Sequence, residues 1–153
     1  MVPFLDGLPE RSLSSDLARA VETAAALRLG GAPTDPRWRE IDIGDWAGKT
    51  LDELDPEEVA AWRRGETAPP NAETWAEFQA RVAAGVDALR GEDAVVVTHG
   101  GCVRAACAHL TGADARTLAP PANASLTVLE HGDRTRLHAY GLRVPGPETP
   151  GVA

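Results

Sequence analysis

Residues 95–105 read VVVTHGGCVRA, and the predicted fold rests mainly on this segment. Three consecutive valines suit a strand that is buried on both faces, as the strands of parallel sheets are. The run ends at His99, whose imidazole titrates near neutral pH, and continues into Gly100 and Gly101, which let a ligand approach the backbone closely. A buried strand that leads into such a segment predicts a binding site at its carboxyl end.

Helical patterns on both sides of this strand predict an α/β fold. Apolar residues at helical spacing predict a first helix of about 13 residues that is capped by Ser14 or Ser15. Capping-box patterns precede the next two helices, which are expected over 56–64 and 75–90, and a fourth helix is expected over 102–110. Strands that alternate with helices imply an α/β sandwich with a largely parallel sheet, whose ligand site lies at the carboxyl ends of the strands.

The remaining segments predict one domain. A short strand is expected over 11–14, and SLTVLEH (125–131) and TRLHAY (135–140) flank a Gly-Asp turn, which predicts a β-hairpin. The domain is expected to cover residues 1–142. The tail over 143–153 is rich in Pro and Gly and is expected to be disordered.

The acidic composition limits the ligands that the protein is expected to bind. A net charge of −8 and a pI of about 4.9 argue against binding the nucleic-acid backbone, which needs clustered cationic side chains. No apolar run reaches the ~20 residues of a membrane span and the chain does not open with a signal-peptide pattern, so we expect a cytoplasmic protein without a membrane partner. Cys102 and Cys107 lack the spacing of a disulfide or a zinc site and are expected to be small core residues. The four tryptophans are expected to be packing residues rather than platforms for stacked bases.

Four residues together indicate a phosphate site if the predicted parallel sheet brings them close to each other. Arg19 lies near a helix start, Glu40 in an ordered loop, and His99 and Gly100 at a strand end that opens a helix. Free N–H groups at a helix start, a guanidinium fork and an imidazolium all favour an anion such as phosphate. Taken alone, Arg19 also fits a solvated helix residue and Glu40 a surface carboxylate, so the prediction depends on their convergence. The other histidines show no metal-ligand spacing with His99, and no metal is expected.

Four stretches in order resemble the histidine phosphatase superfamily, which is also called phosphoglycerate mutase-like. They are SSDLARAVETA (14–24), REIDIGDWAGKT (39–50), PPNAETWAEFQARV (69–82) and VVVTHGGCVRA (95–105), and with the closing strands the likeness covers residues 4 to about 140. The third stretch departs from the family pattern at residues 71–74.

The resemblance implies a three-layer α/β/α sandwich with a mostly parallel sheet. It implies that Arg19 and His99 hold the transferring phosphoryl group and that Glu40 protonates the leaving oxygen. In this family the reaction passes through a covalent phosphohistidine and needs no cofactor or metal. The implied partner is a small phosphorylated metabolite, and hydrolysis is favoured over mutase activity because the chain is too short for the insertions of the mutases.

One family element is missing from the sequence. Family members open with a strand that ends in Arg-His-Gly and supplies the nucleophilic histidine, whereas this chain opens with MVPFLDGLPE and contains no Arg-His pair. The fold is therefore predicted to be N-terminally truncated. One interpretation is that the chain begins after the true start or is a fragment, and that the full protein is a phosphomonoester hydrolase. The alternative is a catalytically inactive pseudophosphatase that binds phosphate-containing ligands or acts as a dimerising interaction module, with an unrelated activity as a third.

Overall fold

The computed structural model describes residues 8–143 as four strands, four α-helices and three 3₁₀ turns. In chain order the strands and helices are β1 (Ser12–Ser14), α1 (Ala18–Ala26), α2 (Pro56–Arg64), α3 (Trp75–Asp87), β2 (Val95–Val97), α4 (Gly100–Thr111), β3 (Ser125–His131) and β4 (Thr135–Arg143). The turns are Pro36–Trp38, Gly44–Trp46 and Leu51–Glu53. Arg143, predicted to open the tail, is instead the last residue of β4. The rest of the predicted tail, 144–153, and the first seven residues of the predicted domain lie outside the described part of the chain. None of the helices described is long and apolar enough to cross a membrane.

The strands form two separate sheets rather than the predicted mostly parallel one. β1 pairs with β2 in parallel, with Ser12 opposite Val95 and Ser14 opposite Val97, and Thr34 adds a parallel bridge to Ser14. β3 and β4 pair in antiparallel because a short turn joins them, and this hairpin is the longer of the two pairings. Within residues 8–143 no strand joins β2 to β3, so an α/β fold is confirmed but a single, mostly parallel sheet is not.

The first helix begins later than expected, and the prediction that a serine caps it is wrong. Its N-cap is Leu17, which makes no side-chain capping hydrogen bond. Ser14 and Ser15 are instead fully buried at the end of β1, and the Ser14 hydroxyl donates to the Ser15 carbonyl at 2.9 Å. The helix ends at Ala26, and Arg28 then adopts a left-handed backbone with φ of 61°.

The capping patterns of the next two helices are confirmed. The Asp55 side chain accepts hydrogen bonds from two N–H groups in the first turn of α2. This helix has the predicted bounds. Thr74 and Glu77 form the reciprocal capping box of α3. This helix ends at Asp87, three residues before the predicted Arg90, which lies in a turn.

The core lies between α3 and α4. Phe78 and Val82 of α3 are completely buried, as is Cys102 of α4, and the cluster includes Trp38 of the first 3₁₀ turn. Both cysteines are free and buried, which confirms their predicted role. A side chain at Gly85 would lie 3.2 Å from the Trp38 indole, so this glycine lets α3 approach Trp38. The core thereby positions the loop that leads to Glu40.

The four tryptophans pack, as the sequence predicts: Trp38 lies in the core, and the other three form an aromatic row with Phe78. The row runs from Trp46 through Trp62 and Trp75 to Phe78, with ring centroids 5.7, 6.0 and 5.8 Å apart. Trp46 is buried, and Trp62 and Trp75 are partly buried. The row joins the loop after Glu40 to α2 and α3.

Candidate active site

The parallel pairing of β1 and β2 places their carboxyl ends side by side. Ser15 follows β1, and its N–H donates to the Val97 carbonyl of β2 at 2.9 Å. His99 follows β2, and its Nε2 lies 2.9 Å from the Ser15 hydroxyl. This hydrogen bond fixes the imidazole of His99 near the start of α1, which carries Arg19.

His99 is also the N-cap of α4. Its backbone is extended, with φ of −119° and ψ of 164°, and Gly100 and Gly101 form the first turn of a helix of 12 residues. The N–H groups in the first turn of a helix have no partner within the helix. The Gly101 N–H donates to Glu40, whereas the Gly100 N–H makes no hydrogen bond within residues 8–143.

Glu40 is held by two backbone donors. Its Oε2 accepts from the Gly101 N–H at 3.0 Å, and its Oε1 accepts from the Ile41 N–H at 3.0 Å. A Cβ at position 101 would overlap Glu40 Oε1 and would lie 3.0 Å from the carboxyl carbon. The absence of a side chain at Gly101 is therefore what lets the carboxylate sit on the start of α4.

A partly buried ion pair holds the loop that precedes Glu40. Arg81 of α3 binds Glu73 at 2.6 Å, with 24% and 17% of the two side chains exposed. Its Nη1 also donates to the carbonyls of Pro36, Arg37 and Arg39 at 3.1, 3.0 and 2.9 Å. Because charge-assisted hydrogen bonds are strong and directional, this arginine fixes the backbone up to the residue before Glu40.

The other side of the same loop is held by the end of β2 and the start of α4. The Thr98 hydroxyl donates to the Trp38 carbonyl at 2.7 Å. The Cys102 thiol contacts the carbonyls of Trp38 and Arg39 at 3.3 and 3.1 Å, and burial raises its pKa to about 12. The thiol therefore stays protonated near neutral pH and can donate to these carbonyls.

The charges around His99 are mixed. Burial lowers the pKa of His99 below its ordinary value of 6.5, and the positive charge of Arg19 lowers it further. The carboxylates of Glu40 and Asp16 act in the opposite direction but are weaker. Asp16 itself forms an ion pair with Arg39. In the absence of a ligand, His99 is therefore mainly neutral at pH 7.

The structure places all four predicted site residues at one edge of the β1–β2 sheet. Glu40 contacts the first turn of α4, which contains Gly100, and His99 caps this turn. Arg19 is exposed in the first turn of α1, close enough for its charge to affect His99, and forms no ion pair within residues 8–143. Their roles in binding and proton transfer stay predictions.

Comparison with known proteins identifies the family. The model of the histidine phosphatase superfamily (branch 1) matches residues 4–141. The chain belongs to this superfamily. Its fold agrees, since solved structures with TM-scores near 0.8 match about nine-tenths of the chain.

Three proteins show how similar this chain is to known proteins in sequence and structure. The glucosyl-3-phosphoglycerate phosphatase of Mycolicibacterium vanbaalenii is 37% identical over 118 residues, which cover 65% of this chain and 52% of that protein. A mycobacterial glucosyl-3-phosphoglycerate phosphatase in complex with VO3 is 31% identical, with a TM-score of 0.77 over 88% of this chain and 78% of that one. YhfR of Bacillus stearothermophilus is 27% identical, with a TM-score of 0.79 over 92% and 78%. The chain thus spans about half the length of the curated relative.

Three residues of this candidate site were not predicted to belong to it, and Ser15 was predicted only as a helix cap. Ser15 contacts His99, and Glu73 and Arg81 hold the loop before Glu40. The signal for Arg81 was its place between Phe78 and Val82, where a charged residue interrupts the buried face of α3. A cation on such a face needs partners from another element. The partners are backbone carbonyls, which no side-chain pattern reveals.

The contact between Gly101 and Glu40 predicts that alanine substitutions at two neighbouring glycines lower the free energy of unfolding by different amounts. Gly101→Ala is expected to lower the free energy of unfolding by about 1–3 kcal/mol, because the new methyl group displaces the Glu40 carboxylate from its backbone donors. Gly100→Ala is the matched control, since its Cβ would meet nothing nearer than Pro121 at 3.7 Å, and its effect should stay within about 0.5 kcal/mol. Urea unfolding measures both. Equal stability of the two variants would contradict this geometry.

Proposed function

We propose that this chain carries the phosphate-binding and proton-donating part of a phosphomonoester hydrolase that acts through a phosphohistidine intermediate. The observation that supports this most is the contact of Glu40 with the first turn of α4, next to His99 and within the electrostatic range of Arg19. This arrangement combines an anion-binding helix start with a carboxyl group that can carry a proton. The proposed substrate is a small phosphorylated metabolite.

In the proposed complex, the phosphoryl oxygens bind Arg19, His99 and the Gly100 N–H. Arg19 offers a planar fork of donors and is not engaged by an acidic partner within the described residues. The Gly100 N–H is free to donate, and the positive end of the α4 dipole favours an anion at this point. A bound dianion favours the imidazolium form of His99, so the pKa of His99 rises on binding and the ring gains a second donor.

The proposed reaction has two steps. A nucleophilic imidazole nitrogen forms a bond to phosphorus while the bond from phosphorus to the ester oxygen breaks, and Glu40 gives that oxygen its proton. Water then attacks phosphorus, the bond to the imidazole breaks, and Glu40 takes the proton from the water. The cationic donors stabilise the charge on the three phosphoryl oxygens in both steps.

We propose that the nucleophilic histidine lies outside these 153 residues, which makes the chain a truncated or partial form of the enzyme. His109 lies ten residues farther along α4 than His99, about 15 Å along the axis, and contacts Asp87 at 3.1 Å. The other two histidines belong to the hairpin, where His131 contacts Thr135 and His138 contacts Glu130. No described histidine other than His99 therefore borders the proposed phosphate site.

The substrate class is supported by similar proteins. The curated relative is a glucosyl-3-phosphoglycerate phosphatase, and a solved mycobacterial relative of that name is in complex with VO3, a phosphate-like oxyanion. Both names denote hydrolysis of a phosphate ester, which favours a phosphatase over a mutase for this chain as well. We propose further that the two sheets belong to one three-layer α/β/α sandwich in the whole protein.

The alternative is a catalytically inactive pseudophosphatase. It is favoured by one observation, the lack of a second histidine at the site within residues 8–143. In that case Arg19, Glu40 and His99 bind a phosphate-containing ligand without turnover, and the chain acts as a binding protein or as a dimerising module.

Phosphate is expected to stabilise the protein through Arg19 and His99. At a concentration about 100 times Kd, a ligand of the folded state adds about 2.7 kcal/mol, which raises Tm by several degrees. Arg19→Met and His99→Ala should abolish the shift, whereas Arg63→Met, which removes an exposed charge on α2, should keep it. Differential scanning fluorimetry with phosphate or vanadate measures the shift. No shift at millimolar ligand, or equal shifts in all variants, would contradict a phosphate site here.

The 153-residue chain is expected to hydrolyse para-nitrophenyl phosphate no faster than buffer does, because within residues 8–143 no histidine other than His99 borders the proposed phosphate site. Release of para-nitrophenol, followed by absorbance, measures this. Turnover by the chain that disappears in His99→Ala but survives in His109→Ala would show that the proposed absence of a nucleophile is wrong. A chain that binds phosphate without turnover agrees with both the truncated enzyme and the pseudophosphatase.

A further inference from the structure

Ser15 is a polar residue that is completely buried beside the proposed phosphate site, with 0% of its surface exposed. Its N–H donates to the Val97 carbonyl of β2 at 2.9 Å, and its carbonyl accepts from the Ser14 hydroxyl at 2.9 Å. The backbone of Ser15 is thus bound to the sheet on one side and to its neighbour on the other. The position of its side chain is therefore set by the fold and does not depend on a ligand.

The Ser15 hydroxyl has two partners within residues 8–143. Its oxygen accepts from the Leu17 N–H at 3.3 Å and lies 2.9 Å from Nε2 of His99. A hydroxyl group has one proton to donate, and a buried hydroxyl without an acceptor loses the hydrogen bond that water provides in the unfolded chain. Because the Leu17 N–H is itself a donor, Nε2 of His99 is the acceptor that is left for the hydroxyl proton.

This contact determines which nitrogen of the neutral His99 ring carries the proton. A neutral imidazole has one N–H donor and one acceptor nitrogen, and the hydrogen bond at one nitrogen sets the state of the other. If Nε2 accepts from Ser15, the ring proton lies on Nδ1. In the opposite arrangement Nε2–H donates to Ser15, whose own proton then has no acceptor among the described residues. The burial of Ser15 therefore favours the form with the proton on Nδ1.

Nδ1 is the ring nitrogen that stays available to a ligand. It makes no hydrogen bond within residues 8–143 and is not one of the buried polar atoms that lack a partner there, so solvent reaches it. By covalent geometry Nδ1 lies nearer than Nε2 to the backbone of His99, where α4 begins and where the Gly100 N–H also has no partner among the described residues. An N–H group on Nδ1 therefore adds a donor close to the start of α4.

We propose that Ser15 is a positioning residue that fixes the tautomer of His99. Its hydroxyl donates to Nε2 and keeps the proton of the neutral ring on Nδ1, where the ring can donate to a phosphoryl oxygen without first taking up a proton. This donor matters because His99 is mainly neutral at pH 7 in the absence of a ligand. The role towards the phosphoryl oxygen rests on the proposed function, whereas the tautomer is a property of the protein alone.

The alternative is a purely structural role of Ser15. Its hydroxyl also accepts from the N–H of Leu17, the N-cap of α1, which is a common way for serine to stabilise a turn. Such a role predicts a loss of stability on substitution but no change in the His99 ring. Ser14 offers a matched control, since it is 1% exposed and its hydroxyl donates to a backbone carbonyl instead of a side chain.

Long-range proton–nitrogen NMR of histidine side chains labelled with nitrogen-15 tests the proposal. At about pH 8, where an ordinary histidine is neutral, the ring nitrogen shifts distinguish the two tautomers, and His99→Ala identifies the His99 signals. His109 and His138 are references, because Nε2 of each lies 3.1 and 2.8 Å from a carboxylate oxygen, which only accepts. We expect the Nδ1–H form for His99 and the Nε2–H form for both references, in buffer without phosphate.

Two variants locate the cause of the tautomer, and circular dichroism establishes that each is folded. Ser15→Ala should shift His99 towards the Nε2–H form, which free histidine favours in water, whereas Ser14→Ala should keep the Nδ1–H form. Ser15→Cys keeps nearly the same volume but has only a weak donor, so it should shift the ring in the same direction and replaces Ser15→Ala if that variant does not fold.

Phosphate binding tests the consequence of the tautomer. Isothermal titration calorimetry at the same pH should show that Ser15→Ala raises Kd for inorganic phosphate about tenfold, the loss expected for one hydrogen bond to a charged group. Ser14→Ala should leave Kd unchanged.

Three results would overturn the proposal. The first is the Nε2–H form of His99 in the unmodified protein. The second is an Nδ1–H form that the Ser15 variants leave unchanged or that Ser14→Ala alters as strongly. The third is a shift of the tautomer in Ser15→Ala without a change in Kd. If the unmodified protein shows the expected tautomers but binds no phosphate, the proposed function is contradicted, while the control of the His99 tautomer by Ser15 is supported.

Discussion

The hydrogen bond from the Gly101 N–H to Glu40 is the interaction on which the geometry of the site depends. It joins a loop that contains only short 3₁₀ turns to the first turn of the helix that His99 caps. A long loop retains little order unless its backbone is bound to something rigid. The loop before Glu40 meets this condition twice, since Arg81 binds its carbonyls from α3 and Thr98 and Cys102 bind them from β2 and α4. Glu40 therefore occupies a fixed place although its secondary structure is irregular.

The acidic composition of the chain differs from the charge pattern at the proposed site. A net charge of −8 opposes the binding of an anion at long range. At the carboxyl ends of β1 and β2, the guanidinium of Arg19, the start of α4 and an imidazole that can gain a proton are the groups proposed to bind phosphate. Asp16, whose charge also acts on His99, forms an ion pair with Arg39 that lowers the pKa of the Asp16 carboxyl group. The proposed preference for a compact anion rests on this local pattern rather than on the total charge.

The extent to which the sequence predicted the structure depends on how local each feature is. The caps of α2 and α3 and the closing hairpin follow from side chains within a few residues of each other, and these predictions are confirmed. The serine cap of α1 was wrong because Ser15 contacts His99, 84 residues away, and such a contact has no local signature. The carbonyl contacts of Arg81 were missed for the same reason. The division of the strands into two sheets also depends on long-range pairing, which residue patterns do not encode.

Nitrogen NMR of the labelled histidine side chains tests whether His99 belongs to the proposed anion site. In the free protein the pKa of His99 should lie below its ordinary value of 6.5, since burial and Arg19 both disfavour the imidazolium. Sulfate keeps its charge between about pH 5 and pH 8, where histidines titrate. Its addition should raise the pKa of His99, while the ring nitrogen chemical shifts of His109 and His138 at a fixed pH should not change. A His99 titration that tens of millimolar sulfate does not alter, or that shifts equally with the other histidines, would contradict the account.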